Sequence, residues 1–513
     1  MTDNANFFDC CIRTALAAPD APCLLLANGG VVTYGDLDRL SARYANLLRS
    51  LGCQTGTWVA VCVEKSPRSL TLYLACLRAG LVFLPLNTAY KPAELSYFLD
   101  DAKPYVFVCP PATAASFGPQ ARALGVRHVL DMDEHGDGSL SETAACLDDR
   151  FPEVHRGLDD LAAVLYTSGT TGRPKGATIS CRAVAYAART LGAVWGFSRE
   201  DVLLHALPIF HGHGLFVACN VALAAGARML FLPRFQLDTV LAALPSATTM
   251  MGVPTFYHRI LADPRFTRET FAHLRLVTCG SAPLLPDEQA AFRERFGHDI
   301  LQRYGTTETM ILTSNPLRGE RRPGSVGRAL PGVELRITDD DDRPLADGMI
   351  GMIQVRGDGL FSGYRGLPEK TAEDFTDDGF FRTGDLGTRS ADGYVTITGR
   401  AKDLIISGGY NVYPAEVEAV VNDCPGIAES AVIGVPHADF GEAVAAIVIA
   451  RSHDEPVVPE QVIRLAKERL ANHKVPKFVV FVDDFPRNTL GKIQKNLLRE
   501  TYAGLAGPQG ARR

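Results

Sequence analysis

Directly after an apolar run from Ala162 to Tyr166, the segment Tyr166-Thr-Ser-Gly-Thr-Thr-Gly-Arg-Pro-Lys-Gly176 gathers three glycines, three threonines, a serine and a lysine. Glycine lets backbone N–H groups approach an anion closely, hydroxyls add donors, and Lys175 supplies positive charge. Thr167, Ser168, Gly169, Thr170, Thr171, Gly172 and Lys175 therefore read as an anion cradle. The spacing is not that of a Walker loop, because the second glycine counted from Gly169 would fall where Pro174 stands. A second cluster, His205, His211 and His213, lacks a nearby cysteine or carboxylate to complete a zinc set, so no zinc is expected there. Near the C-terminal end, Lys492 follows Gly491 and a short turn at Asn488-Thr-Leu-Gly491, which suggests a positioned cation.

Six further motifs follow the first in order: Gly280-Ser-Ala-Pro283, Arg303-Tyr-Gly-Thr-Thr-Glu308, Phe381-Arg-Thr-Gly-Asp385, Gly399-Arg-Ala-Lys-Asp403, Ser407-Gly-Gly-Tyr-Asn411 and Pro486-Arg-Asn-Thr-Leu-Gly-Lys492. Together they resemble the adenylate-forming superfamily of acyl-CoA synthetases, luciferases and peptide-synthetase adenylation domains. The resemblance implies ATP, Mg²⁺ and coenzyme A as co-substrates and an acyl-adenylate as intermediate. It makes the 167–175 loop a phosphate site and Glu308, with Thr167, the Mg²⁺ ligands, hard oxygen donors of the kind that ion prefers. Thr307 would donate to phosphate, beside Gly305 and Thr306 of the same ATP-binding motif. Tyr304 and the loop of Gly280, Ser281, Ala282 and Pro283 would sandwich adenine. Asp385 would accept from the ribose hydroxyls, with Arg400 also in reach. Lys492 would sit between the substrate carboxylate and the α-phosphate, completing a catalytic set with Glu308, Thr167 and His211. For the second half-reaction the resemblance implies a hinge at 399–403 with Lys402 as pivot. Ser407, Gly408 and Gly409 would then line a narrow pantetheine tunnel that a Cβ would obstruct. The Pro486-x₄-Gly491-Lys492 pattern also resembles one that bacterial acetyltransferases modify, which implies control by acetylation of Lys492 and its reversal.

The acid is read from Arg303, which stands where many members carry a small residue. A cation there suits a substrate with a second carboxylate, since a buried unpaired guanidinium is costly. Leu84-Pro-Leu-Asn-Thr-Ala-Tyr90, His213-Gly-Leu-Phe216, Met251-Gly-Val-Pro-Thr-Phe-Tyr257 and Val435-Pro-His-Ala-Asp-Phe-Gly441 resemble the malonyl-CoA and methylmalonyl-CoA synthetases within the superfamily. That likeness places His211 at the mouth of the acyl pocket, with Ser281, Arg303 and Met310 contacting the acid. Thr306 and the stretch Met310-Ile-Leu312 depart from its pattern, so malonate and C2-substituted malonates both stay open. Ligation of another short-chain or aryl acid, or adenylation for a carrier protein, is the alternative.

These residues need elements to hold them. Thr33 reads as an N-cap, with Leu37, Leu40, Tyr44, Leu47, Leu48 and Leu51 at helical spacing and Gly52 as the stop. Short apolar runs at 58–63, 82–85, 105–108, 162–166, 229–232 and 276–278 read as strands between helices, which argues for mainly parallel sheets. After about residue 320 short strands dense in Gly and Asp suggest a small β-barrel-like subdomain. An α+β region follows, with helices at 414–422 and 459–471 and strands between and after them. The expected class is α/β: a large N-terminal domain over 1–398, a hinge at 399–403 and a smaller mobile domain over 404–513. Lys plus Arg number 52 against 58 Asp plus Glu, a net charge of −6 that gives no field for a polyanion, so nucleic acid is not an expected partner. The twelve cysteines are scattered, with only Cys10 and Cys11 adjacent and no C-x-x-C pair, as suits a reducing compartment. The N-terminus has no secretory pattern, and no run approaches the ~18 apolar residues of a membrane span. A soluble cytoplasmic enzyme, without membrane partners and of unspecified oligomeric state, is expected.

Overall fold

The computed structural model describes residues 4–167, 174–437, 439–451, 457–488 and 491–506. Two mixed sheets dominate the first four-fifths of the chain, and their strands are the short apolar runs of the sequence. One has seven strands in the order Gly363–Tyr364, Lys175–Ser180, Leu161–Thr167, Val82–Pro85, Trp58–Val61, Val106–Cys109, His128–Asp131. From Leu161–Thr167 to His128–Asp131 the pairing is parallel, while Lys175–Ser180 returns antiparallel to Leu161–Thr167. The last pair in that return is Thr167 with Lys175. Thr167 and Lys175 thus stand side by side on antiparallel strands.

The other large sheet has nine strands, in the order Arg328–Ala329, Thr313–Ser314, Leu301–Tyr304, Leu276–Cys279, Thr249–Gly252, Val202–His205, Arg228–Phe231, Pro22–Leu25, Val31–Thr33. Strands from Leu301–Tyr304 through Pro22–Leu25 are parallel. Their carboxyl ends carry His205, the Gly280–Pro283 loop, and Arg303 with Tyr304. Ligands of open α/β sheets bind at such ends, because the loops there converge and the strands hold them rigidly. Phe271, Phe292 and Phe296 pack edge-to-face and stacked beneath these strands, fully buried.

Helices pack on the sheets where the sequence supplies caps. The helix Tyr34–Ser50 starts with a capping box: the Asp36 N–H donates to Thr33 Oγ1 at 3.1 Å and the Thr33 N–H to Asp36 Oδ2 at 2.9 Å. It ends before Gly52, whose φ of +94° is the left-handed turn that glycine adopts at least cost.

The chain divides into two compact units, Met1–Glu334 with Arg356–Phe375, and Leu335–Val355 with Thr376–Arg513. In the second, the β region expected after residue 320 is a four-stranded sheet of Val333–Thr338, Gly351–Gly357, Phe381–Arg389 and Val395–Arg400. It also holds the segment 399–403 and the α+β region, where helices Pro414–Asn422 and Pro459–Arg469 cover a sheet built on the long hairpin Ile427–His437 and Gly441–Ala450. Among the described residues no helix is long and apolar enough to cross a membrane.

Replacing Thr33 by Ala removes the cap of Tyr34–Ser50 and is expected to destabilise the first unit by about 1 kcal/mol. A lowered urea midpoint, restored by Thr33→Ser, is the measurement.

Candidate active site

Arg303, on the penultimate position of Leu301–Tyr304, is 5% exposed, and its Nε and Nη2 have no hydrogen-bond partner among the described residues. Its neighbour explains how it fits. A Cβ built on Gly280 would lie 2.4 Å from Arg303 Cζ and 2.5 Å from Nε, so the guanidinium occupies the space a side chain at 280 would fill. Burial draws its pKa down to about 10, which leaves it charged at neutral pH. No described carboxylate forms an ion pair with it.

Two histidines share this charge. His211 has its pKa lowered to about 4, first by burial and then by Arg303, and its Nδ1 accepts from the His213 N–H at 3.2 Å. His213 is pushed well below the ordinary value by burial, Arg303 and His211, and its Nδ1 lies 3.1 Å from Ser281 Oγ. Its Nε2 is buried without a hydrogen-bond partner among the described residues. Ser281 is held at φ +71° and Met310 at φ +53°, both rare for side-chain-bearing residues, and both are residues that the sequence pointed to as acid contacts. Met310 is in turn fixed by Gly305, where a Cβ would come within 1.9 Å of the Met310 carbonyl oxygen. The structure therefore brings Gly280, Ser281, His211 and Arg303 together, and adds His213, which sequence reasoning placed only in a histidine cluster.

Glu308 follows in the same loop. Its Oε1 accepts from Tyr364 Oη at 3.2 Å, and its backbone oxygen accepts from the Phe361 N–H at 2.7 Å. Burial and then Glu308 raise the Tyr364 pKa, so the phenol stays a donor. Lys175, buried, lies 4.7 Å from the Tyr364 ring centre. Tyr364 thus links the carboxylate to the cradle lysine, and its surroundings in sequence, Phe361-Ser-Gly-Tyr364, carried no spacing signal for that role. Thr167 is half-buried at the strand end, and Tyr304 and Thr307 are half-buried beside Glu308. The Thr306 N–H donates to Thr309 Oγ1 at 2.9 Å, which shapes the turn. Ala282 is half-buried and Pro283 exposed. Ser168, Gly169, Thr170, Thr171 and Gly172 lie outside the described residues.

The second unit holds its own group. Asp385 and Arg400 face each other in the antiparallel pair Phe381–Arg389 and Val395–Arg400, with Nε to Oδ1 at 2.6 Å. Asp385 is buried, and its N–H donates to Thr383 Oγ1 at 3.1 Å. Lys492 is anchored by its backbone: its N–H donates to Asn488 Oδ1 at 2.9 Å and its carbonyl accepts from the Asn488 N–H at 2.9 Å, across Gly491 at φ +78°. Protein crowding and then Arg400 pull its pKa below the ordinary lysine value, with Asp385 and Asp403 opposing. Lys402 lies in the single turn Ala401–Asp403, whose Asp403 pairs with Arg499 at 2.8 Å. Ser407 ends one strand of a hairpin whose loop is Gly408 at φ +60° and Gly409 at φ +82°. Both positive φ values are what a two-residue hairpin turn demands. A Cβ at Gly409 would meet nothing within 4 Å among the described residues, and one at Gly408 would lie 3.6 Å from Phe440 Cδ1.

The donor set also bears on Mg²⁺. Among the described residues no cluster of three or more His, Cys, Asp or Glu could hold a metal. One half-buried carboxylate, Glu308, with the Thr167 hydroxyl fits an ion that keeps most of its waters and binds largely through substrate phosphates.

An α/β fold whose strand-end loops bring Arg303, Ser281 and His213 together, with Tyr364 between Glu308 and Lys175, offers a site for anionic groups. The chain belongs to the AMP-binding enzyme family, whose pattern residues 12–365 match, while residues 416–492 match the family's C-terminal domain. The crystal structure of ATP-bound MatB from Rhodopseudomonas palustris superposes with a TM-score of 0.96 at 50% identity, covering 98% of this chain and 100% of that one. The malonate–CoA ligase of Arabidopsis thaliana is 33% identical over 93% of this chain and 85% of its own length. The indoleacetate–CoA ligase of Aromatoleum aromaticum is 35% identical over 92% and 93%. The chain is an AMP-forming acid–CoA ligase that works through an acyl-adenylate with ATP, Mg²⁺ and coenzyme A.

His211 and His213 are neutral in the folded state, with pKa values below the unfolded one, so the unfolded chain binds more protons once pH falls below about 6.5. Stability is therefore expected to fall as pH drops from 6.5 towards 4. Urea midpoints across that range should show a shallower fall in His211→Gln than in the unaltered protein.

Proposed function

We propose that the acid is malonate, with methylmalonate as a second substrate, and that Arg303 reads the distal carboxylate. The observation that carries this reading is the buried guanidinium lying over Gly280 without a carboxylate partner among the described residues. A charge held that way is costly when empty and selective when met by a planar anion in a two-pronged pair. Neutral His211 and His213 beside it neither compete for the anion nor repel the cation strongly. Likeness to MatB and to a plant malonate–CoA ligase supports the same assignment.

In the reaction so proposed, Arg303 fixes one carboxylate and leaves the other free to attack the α-phosphorus of ATP. A phosphorus–oxygen bond forms to the acid and the bond to pyrophosphate breaks. Lys492 counters the negative charge that grows between carboxylate and α-phosphate. Lys175, Thr307 and the loop from Thr167 hold phosphates, Tyr304 and the Gly280–Pro283 loop hold adenine, and Asp385 with Arg400 holds ribose. Glu308 and Thr167 would hold Mg²⁺, which when bound offsets triphosphate charge. His211 closes the acyl pocket against water. The CoA thiol then attacks the acyl carbonyl and AMP leaves, with Ser407, Gly408 and Gly409 against pantetheine and Lys402 as the pivot between the two half-reactions. Acetylation of Lys492 would delete its charge and stop the first step. Free thiols throughout the described chain suit a reducing cytoplasm.

Arg303→Leu is expected to lower kcat/KM for malonate by roughly 30- to several-thousand-fold, from a loss of ~2–5 kcal/mol at ~1.4 kcal/mol per tenfold. Butyrate, which lacks the partner carboxylate, should be unchanged or improved, and Arg303→Lys should rescue only in part, because an ammonium lacks the planar fork. Equal loss for both acids would refute the dicarboxylate reading. Lys492→Ala should abolish malonate-dependent pyrophosphate release yet leave CoA transfer from a supplied malonyl-adenylate largely intact. Equal loss in both half-reactions would make the lysine structural.

A further inference from the structure

A cavity of about 690 Å³ opens in the first unit at the edge of the nine-stranded sheet away from Gly280 and Arg303. Its walls are the helix Tyr34–Ser50, the start of the helix Pro67–Arg78, and the ends of strands Val31–Thr33 and Arg228–Phe231. That volume lies within the range of small-molecule sites, and none of the roles assigned above uses it.

The lining joins an apolar body to a cationic end. Leu26, Leu37, Leu40, Phe231 and Pro233 supply the apolar surface. Four cations face two carboxylates, Asp36 and Glu134, and the cations differ in how they are satisfied. Arg39 pairs with Asp36 at 2.8 Å, and Arg68 pairs with Asp137. Among the described residues Arg43 reaches only Asp149, at 4.0 Å, and its Nε is buried without a hydrogen-bond partner. Lys65 is 7% exposed and has no carboxylate partner among the described residues. Its Nζ donates to the His205 carbonyl at 2.8 Å and lies 2.6 Å from His205 Nδ1 and 4.3 Å from the Phe231 ring centre. His205 Nε2 lies 2.8 Å from the Gly214 carbonyl, which makes it the donor there and leaves Nδ1 to accept from the lysine. Two of the ammonium's three protons are thus used on neutral acceptors, and among the described residues no carboxylate pairs with it.

We propose that this cavity is a second ligand site, which takes a small carboxylate carrying an apolar body, its head on Lys65 and Arg43 and its body against Leu40 and Phe231. A monoanion fits better than a phosphate dianion, because Asp36 and Glu134 line the same space and repel the second charge. Burial lowers the Lys65 pKa to about 7, and a bound carboxylate would favour its charged form.

Octanoate is the probe, titrated calorimetrically into the full-length protein without ATP or CoA, so that no turnover occurs. Saturable binding is expected, and Leu40→Trp, which fills the cavity, and Arg43→Gln, which removes a cation, should each weaken it roughly ten- to hundredfold. Arg303→Leu should leave it unchanged, and octanol should bind more weakly by a similar factor. Absence of saturable binding would overturn the proposal. So would weakening by Arg303→Leu with none by Leu40→Trp, which would place octanoate in the acyl site, and so would equal affinity for octanol.

Discussion

A guanidinium kept dry without a counter-ion is the constraint around which the acid site is arranged. Removing such a group from water costs several kcal/mol unless a partner arrives, so its surroundings must hold it firmly. Gly280 makes room for it, Ser281 bends at positive φ beside it, and His211 and His213 stay neutral next to it. Met310, also at positive φ, is locked by the close approach of Gly305. Strained backbone, buried charge and depressed histidine pKa values thus fall in one place, at the carboxyl ends of parallel strands. A structural ion pair would place a carboxylate against Arg303, and among the described residues none pairs with it.

The second unit solves a different electrostatic problem. Asp385 and Arg400 are placed opposite each other by strand register, and their 2.6 Å contact holds the carboxylate in a fixed direction while buried. Lys492 rides on a turn closed by its own backbone bonds to Asn488. The side chain can serve as a charge at a tip because the backbone, not the ammonium, carries the anchoring. Lys402 differs: it sits in one turn of helix between the strand Val395–Arg400 and the strand Ile405–Ser407, where few residues separate two sheets. Short links of that kind are where large φ/ψ changes are absorbed.

Much of this was legible in the residues themselves. The Thr33 cap, the apolar runs that became strands, the helix Pro414–Asn422 and the turn before Lys492 follow from local rules of capping, periodicity and φ, which act over a few residues. Motif order carried the family, because seven short patterns in sequence encode a site even before any contact is known. The glycines at 408 and 409 were legible as special, and the structure adds a local requirement: a two-residue hairpin turn needs both positive φ values.

The sequence by itself determined which side chains are available, where helices start and stop, and that Arg303 stands in the Thr-Glu motif. Only the tertiary structure decided that Arg303 Nε and Nη2 are buried without a hydrogen-bond partner among the described residues, that the guanidinium fills the space above Gly280, that Tyr364 joins Glu308 to Lys175, and that Lys65, whose Nζ meets the carbonyl and ring nitrogen of His205, lines a cavity. The physical reason is range. Caps, turns and periodicity are settled by neighbours a few residues apart, whereas the satisfaction of a buried charge depends on every group packed around it, and those groups come from strands and loops far apart in the chain.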